Sequence, residues 1–320
     1  MKRTKFSSQT YVFALAAFML FGCQSRPPVA SPCLKRLVER SQGPDMAISP
    51  DGRRAVMWRT INRAPFQSIT DMAVIDTRTG DLLMTRELAD NLHWYRDEVY
   101  MRDKDAIVAW NPDRNAVRKL YACRCDYDIS ARGVVALVRD RGLQNTLELA
   151  VGFGAEPYLS IPTERIRAPG FSPDGGHVAV QSLSGLMVFD VTTGTGMSID
   201  GNFAITAAPV WFSNSELLVV KLRSGRVERL DVASGTVSTF LDVPLDGLPP
   251  NERSVDGLAA NEDFSILLVM TGARDVYAVN VACVRATQGG AIDKPISKLA
   301  ALHSVGVPRT QASDNDEFPE

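Results

Sequence analysis

Histidine is scarce in this chain of 320 residues: His93, His177 and His303 are the only three, and they lie far apart. None shares the short spacing that turns two imidazoles toward one metal ion. No Gly-x-Ser-x-Gly elbow and no phosphate-cradling glycine loop occurs, and Gly152-Phe153-Gly154 reads only as a loop. A basic excess is also missing. The chain holds 35 Lys and Arg against 37 Asp and Glu, a net charge of −2, which argues against nucleic acid as a partner. The sequence therefore implies no catalytic residue set, no cofactor and no metal. His93, just ahead of Trp94, is the one histidine placed to line a channel, and a packed or surface histidine is the plainer account. His177 follows a turn, where exposure is expected.

Long apolar runs are few, and the most informative one is short. Lys2, Arg3 and Lys5 precede Tyr11 to Gly22, an uncharged and mostly apolar stretch. It suits the h-region of a secretory signal and is too short for a helix across ~30 Å of hydrocarbon. It ends in Leu20-Phe21-Gly22-Cys23, which resembles the lipobox of bacterial lipoproteins. That resemblance implies a signal peptide over residues 1–22 and acylation of Cys23 with palmitate-type chains, which would anchor the protein to a membrane. An ordinary signal peptide with an incidental cysteine is the alternative. Gln24, where aspartate would mark inner-membrane retention, implies an outer-membrane lipoprotein facing the periplasm. Losing Lys2, Arg3 and Lys5 with the signal leaves 32 basic and 37 acidic residues, a net charge of −5.

Repetition organises the rest. Ile48-Ser49-Pro50-Asp51-Gly52 recurs as Phe171-Ser172-Pro173-Asp174-Gly175, each followed by a β-rich apolar run. A second signature, Asp-x-x-x-Gly after apolar residues, occurs at Asp76–Gly80, Asp190–Gly194 and Asp231–Gly235. Asp-Gly and Pro-Asp are turn chemistry: glycine accepts positive φ, and aspartate bonds nearby amides. With Ser49, Arg96, Ser130, Ser172, Ser213 and Asn261 as turn anchors, the steps are 47, 34, 42, 41 and 48 residues. A four-stranded propeller blade has a period of ~40–45 residues. The distance from Ser49 to Asp76, 27 against 18 in later copies, calls for a longer loop in the first blade.

The expected fold is all-β, a six-bladed β-propeller of four-stranded antiparallel blades over residues 44–290. Ahead of it lie the signal (1–22) and a lipidated tether with a short N-terminal segment (23–43). Residues 291–320 follow as a tail, acidic at its end. These repeats resemble those of the TolB-type six-bladed propellers, periplasmic relatives of WD-repeat folds. The resemblance speaks for the fold rather than for a function, and residues 23–43 leave no room for the separate domain that precedes the TolB propeller.

Four further cysteines, Cys33, Cys123, Cys125 and Cys283, suit an oxidising compartment. Three pairings are open. A propeller brings its chain ends together, so a Cys33–Cys283 bond would clamp the ring. Cys123 and Cys125 would then form a tight local loop, against which strand geometry argues by pointing both side chains to one face without a turn. Metal binding is the rival for this Cys-x-Cys pair. Trp58, Trp94, Trp110 and Trp211 fall on expected strands and suit packing between blades. The second and third blades depart most from the repeat and carry Trp94, Tyr95 and Trp110, the candidate partner-binding residues. Two functions remain: a non-enzymatic envelope scaffold that binds another envelope or secretion component, or an enzyme or small-ligand binder using the central channel. The lipobox yields a direct expectation. Cys23→Ala should abolish incorporation of a fatty-acid analogue, and a mutant that still takes up label would end the lipoprotein reading.

Overall fold

The computed structural model describes residues 32–43, 45–64, 67–87, 89–140, 144–163, 166–182, 185–204 and 208–287. Cys23, the signal segment, Pro44, His303 and the acidic tail lie outside the described residues. A strand β1 (Leu34–Val38) comes first. The first blade then runs β2 (Met46–Ile48), β3 (Arg54–Ala64), β4 (Gln67–Asp76) and β5 (Leu82–Arg86). The second is β6 (Asp90–Tyr95), β7 (Glu98–Asp103), β8 (Ala106–Asn111) and β9 (Ala116–Tyr121). The third holds β10 (Asp126–Ile129), β11 (Val134–Asp140), β12 (Asn145–Val151) and β13 (Leu159–Thr163). The fourth has β14 (Ile166–Phe171), β15 (His177–Ser182), β16 (Gly185–Asp190) and β17 (Gly196–Asp200). The fifth comprises β18 (Val210–Trp211), β19 (Glu216–Val220), β20 (Arg226–Asp231) and β21 (Val237–Asp242). The sixth is β22 (Val255–Ala260), β23 (Ile266–Thr271) and β24 (Val276–Asn280), completed by β1.

Each sheet is an antiparallel four-strand set in which strands pair in chain order, the sixth closing with β1 on β24. The first strands touch one another in sequence, β2 to β6 to β10 to β14 to β18 to β22 and back to β2. They therefore form the inner ring of a six-bladed β-propeller. Each blade is buried on both faces. In β3, Ala55 and Met57 pack toward Leu268 and Met270 of the sixth blade, while Val56 packs toward Val99, Met101 and Trp110 of the second. Burial on both faces is why these strands are almost continuously apolar.

The two repeated signatures are hydrogen-bond devices. Ser49 Oγ donates to Asp51 Oδ1 at 2.6 Å and accepts from the Arg54 amide at 2.9 Å. Ser172 repeats this with Asp174 (2.6 Å) and the His177 amide (2.9 Å). The buried Ser130 and Asn261 accept from Val134 and Ile266 at the same position of their blades. In the second signature the aspartate carboxylate caps the turn. Asp76 accepts the amides of Arg78 and Thr79, Asp190 those of Thr192 and Thr193, and Asp231 that of Ser234. The closing Gly80, Gly194 and Gly235 have φ of 84°, 72° and 68°, a region that glycine enters without a Cβ clash. The Thr79 and Thr193 amides hold Asp76 and Asp190 below the usual carboxylate range, as the Ser234 side chain does Asp231.

One boundary and one loop differ from expectation. The propeller begins ten residues before Pro44, because Leu34–Val38, expected in the short N-terminal segment ahead of it, is the outermost strand of the last blade. The extra length of the first blade is not a loop. It is taken up by β3 and β4 themselves, which pair from Arg54↔Asp76 out to Ala64↔Gln67.

Closure is reinforced at both ends of the chain. The Asn280 amide donates to the Cys33 carbonyl at 2.9 Å, and a short helix α1 (Val281–Thr287) follows with Val281 and Val284 buried. Cys33 and Cys283, 250 residues apart in sequence and 5.4 Å between Cα atoms, are disulfide-bonded. A bond closing so long a loop should stabilise the fold by about 2–4 kcal/mol. The double variant Cys33→Ser, Cys283→Ser is expected to lose about that much in denaturant unfolding. Wild-type stability in that variant would show that strand pairing alone carries closure.

Candidate functional site

Polar side chains gather where the inner strands of the first three blades begin. Asp45 stands one residue before β2, Asp90 and Asn91 open β6, and Asp126, Tyr127 and Asp128 open β10. A β-bulge sets their directions. The pairing of β6 with β7 slips between Asp90↔Arg102 and His93↔Tyr100, and Asn91 sits in the bulge at φ 52°. The Asn91 amide donates to Asp45 Oδ2 at 3.2 Å. His93 Nε2 lies 3.0 Å from Asn91 Oδ1, and its Nδ1 lies 3.2 Å from Asp128 Oδ1. Both ring nitrogens thus face acceptors; the imidazolium satisfies both, and the neutral ring does so once the Asn91 amide turns over.

Arg102 knits the neighbouring acids together. It donates Nε and Nη2 to the two oxygens of Asp90, each at 2.7 Å, and Nη1 to Asp126 at 3.1 Å. These bonds, Asp90 foremost, hold its guanidinium above its ordinary pKa. Asp128 Oδ2 accepts the Phe171 amide at 2.7 Å, tying the third blade to the fourth. Burial pushes the Asp45 carboxyl above the ordinary range despite the Asn91 amide and the more distant charges of His93 and Arg102. Tyr127 is fully buried, and desolvation, with Asp128 and Asp90 nearby, pushes its phenol well up.

An aromatic chain leads outward from this cluster along the seam of the second and third blades. The rings of His93 and Tyr127 are 5.0 Å apart, Tyr127 and Phe153 5.8 Å, Phe153 and Tyr100 6.2 Å, and Phe153 and Tyr121 6.4 Å. Tyr95 meets Tyr100 edge-on at 5.7 Å. Arginines cover the chain from outside. Arg118 lies 6.0 Å from the Tyr100 ring and bonds Glu98 at 2.6 Å; Arg139 lies 5.6 Å from the Tyr121 ring and donates to its hydroxyl at 2.6 Å. Arg96 lies 5.2 Å from Tyr95. Val117 and Val151, 44% and 70% exposed, lie on the other faces of their blades, Val117 opposite Trp110 and Val151 opposite Val134.

The expected partner residues divide. Trp94 and Tyr95 are half-buried, with the Arg54 guanidinium 5.2 Å from the Trp94 ring. Trp110 is fully buried among Val56, Met72, Val99 and Met101, so it is a core residue and not a contact for a partner. Trp58 and Trp211 bridge blades through indole bonds to the Ala89 and Gly170 carbonyls. His177 is half-buried rather than exposed, its ring 6.0 Å from Trp211. Cys123 and Cys125 are bonded to each other, Cα atoms 5.4 Å apart, and pack in the Tyr100–Tyr127 cluster. The objection from strand geometry does not apply, because residues 122–125 connect β9 to β10 outside any strand. Asp45, Asn91, Arg102, Tyr127 and Asp128 were not singled out from sequence. Their signal was positional: Asp45 and Asp126 each stand four residues before a turn-anchor serine.

Among the described residues, no group of three His, Cys, Asp or Glu is placed to hold a metal ion. A 490 Å³ cleft lies elsewhere, at the fifth blade, where Arg226 is bonded to Asp242 at 2.9 Å and Arg253 to the Leu248 and Asp246 carbonyls.

The raised Asp45 carboxyl has a testable consequence. It binds a proton at higher pH in the folded chain than in the unfolded one, so folding loses stability as pH rises through that interval, and the loss persists at neutral pH. Asp45→Asn should raise the unfolding temperature at pH 7, and the advantage should close as pH falls toward the ordinary aspartate range. Thermal unfolding from pH 4 to 8 checks this; a variant less stable at pH 7 would show that the carboxylate is compensated.

Comparison with protein-family models and with curated proteins gives no match. Among solved structures, the chain is similar to a calcium-binding protein, regucalcin, from Agrobacterium tumefaciens str. C58, with a TM-score of 0.55 and 13% identity over 76% of this chain and 92% of that one. It is also similar to a chain of the mitotic checkpoint complex, with a TM-score of 0.49 and 14% identity over 74% and 76% of the two chains. The regucalcin likeness supports the propeller fold.

Proposed function

We propose that the protein is a non-enzymatic binding propeller, an outer-membrane lipoprotein anchored through Cys23 and docking another envelope or secretion component. The observation that carries this reading is the arginine-covered aromatic seam of the second and third blades, with Arg96, Arg118 and Arg139 over Tyr95, Tyr100 and Tyr121. Arginine and aromatic residues dominate the energetics of protein interfaces. The lipobox and the TolB-type repeats support the envelope setting. A second reading, a small-ligand binder using the channel, is favoured by the convergence of His93, Asn91 and Asp128. The calcium named for regucalcin is not carried over, since no group of metal ligands gathers among the described residues.

Partner capture tests the seam. Arg96→Ala and Arg118→Ala should each reduce recovery of a crosslinked envelope partner by roughly tenfold or more, as loss of an interface anchor does. Thr195→Ala and Ser238→Ala, exposed on the fourth and fifth blades, should recover it normally. Normal recovery from every seam variant would place the interface elsewhere. A loss that follows thermal unfolding of the variants would be a folding effect and would remove the support.

A further inference from the structure

The cleft at the fifth blade lies where the turn from β19 to β20 meets residues 243–254, the longest connection between two blades. Four cations line it, Lys221, Arg223, Arg226 and Arg253, against two carboxylates, Asp242 and Asp246. The chain as a whole has a net charge of −2, so the cleft runs against the charge of its surroundings. Arg226 has a carboxylate of its own, Asp242 at 2.9 Å. Lys221, Arg223 and Arg253 are exposed and pair with no carboxylate among the described residues. Arg253 is held by carbonyls instead: Nε donates to Leu248 at 2.7 Å and Nη2 to Asp246 at 3.1 Å. Those bonds fix the guanidinium and leave its charge and its remaining N–H groups for another acceptor. The walls are anchored as well. Val243, Leu245 and Leu248 are buried in the core of the fifth and sixth blades. The Val243 amide donates to the Gly225 carbonyl at 2.7 Å, and the Val255 amide to that of Ser224 at 3.0 Å. Gly225 allows this approach, since a Cβ there would stand 2.7 Å from Leu245 Cδ1 and 2.8 Å from the Val243 oxygen. An open cleft of 490 Å³ with anchored walls and uncompensated cations is a place for an anion.

We propose that this cleft binds a phosphorylated sugar. Its phosphomonoester accepts from Arg253, Lys221 and Arg223, and its hydroxyls donate to Asp242 and Asp246. A guanidinium fork matches the oxygens of a phosphate, and the excess of cations over carboxylates matches a phosphomonoester dianion. The two carboxylates argue against a bare anion. They repel inorganic phosphate, whereas they accept the hydroxyl protons of a sugar, and Asp242 keeps one oxygen beyond the one Arg226 bonds. A nucleotide suits the place less well, because no aromatic side chain lines the cleft for a base to stack on. Two sources share this chemistry: a soluble sugar phosphate and the phosphorylated sugar headgroup of a membrane glycolipid. The inference goes beyond the docking seam and the channel, and neither depends on it.

Calorimetric titration of the purified full chain in an uncharged polyoxyethylene detergent tests it. The soluble probes are glucose 6-phosphate, inorganic phosphate and glucose; the lipid probe is monophosphoryl lipid A carried in the same micelles. Saturable one-to-one binding of glucose 6-phosphate or of the glycolipid is expected, and the tighter of the two identifies the source. Inorganic phosphate and glucose should each bind roughly tenfold more weakly than that ligand. Arg253→Ala should weaken binding by roughly tenfold or more, but Arg253 also holds residues 246–248 in place. The double variant Lys221→Ala, Arg223→Ala is free of that complication, because neither side chain is bonded among the described residues. Its unfolding temperature should match that of the wild type while its affinity falls roughly tenfold. Asp246→Ala should narrow the preference for the sugar phosphate over inorganic phosphate. Absence of saturable binding by both glucose 6-phosphate and the glycolipid would overturn the proposal. So would inorganic phosphate binding as tightly as either, or unchanged affinity in the double variant.

Discussion

The pairing of β1 with β24 is the interaction on which the rest of the molecule depends. A propeller blade buries both faces only when it has a neighbour on each side, and the first and sixth blades are neighbours only in a closed ring. Leu37, Val38, Ile48 and Met57 share one cluster with Leu268, Met270 and Val276, drawing residues from opposite ends of the chain into a single core. Opening the ring would expose that cluster in one step. Strand pairing from Leu34↔Val279 to Val38↔Val276 and the Cys33–Cys283 bond therefore act on the same boundary, the first by hydrogen bonds and packing, the second by limiting the unfolded chain. Closure also fixes the inner strands against one another, and so sets the distances among Asp45, Asn91, His93 and Asp128.

A closed ring of near-identical turns offers little chemistry by itself, because the turn acids are occupied. Asp51, Asp76, Asp190 and Asp231 each hold backbone amides of their own turns. Chemistry enters where the repeat lapses. The second blade replaces Ser-Pro-Asp-Gly with Tyr95-Arg96-Asp97-Glu98, with Arg96 at φ 57°, and bulges at Asn91. The third blade is reached through Cys123-Arg124-Cys125. Tyr127 and Phe153 then join the channel cluster to the outer seam in one aromatic chain. Substituting either ring would disturb both features at once, so only peripheral residues, Arg118 on one side and Asp45 on the other, can separate them.

Much of the fold was legible in the sequence because its turns are built from side chains that cannot do their work elsewhere: a serine whose hydroxyl spans the turn, an aspartate that caps one or two amides of its own turn, and a glycine at positive φ. Six blades followed from counting such anchors. What escaped was whatever depends on a distant partner. Leu34–Val38 carries no local sign that its fellow strand lies some 240 residues on, so it reads as a short segment ahead of the propeller. Trp110 reads as suited both to packing between blades and to a partner, because local pattern does not say that Val56 and Met72 of another blade cover it. The first-blade insertion reads as a loop from its length alone, yet its backbone pairs from Arg59↔Asp71 to Asn62↔Ser68 and again at Ala64↔Gln67. The acid cluster escaped for the same reason: three short segments, each unremarkable alone, meet only once the ring is closed.

Crowded charge supplies the final distinction. Gathering four partly exposed carboxylates at one place sets them against one another unless each is given a partner. Asp90 and Asp126, from adjacent blades, share Arg102 and so link the second blade to the third. Asp128 links the third to the fourth through the Phe171 amide. Those three serve the ring, and removing any one would leave a charge or donor uncompensated. Asp45 reaches the second blade by one amide at 3.2 Å, and burial holds its carboxyl above the ordinary range although His93 and Arg102 pull it the other way. Structural duty therefore explains the arginine network and extends to Asp45 only through that one bond.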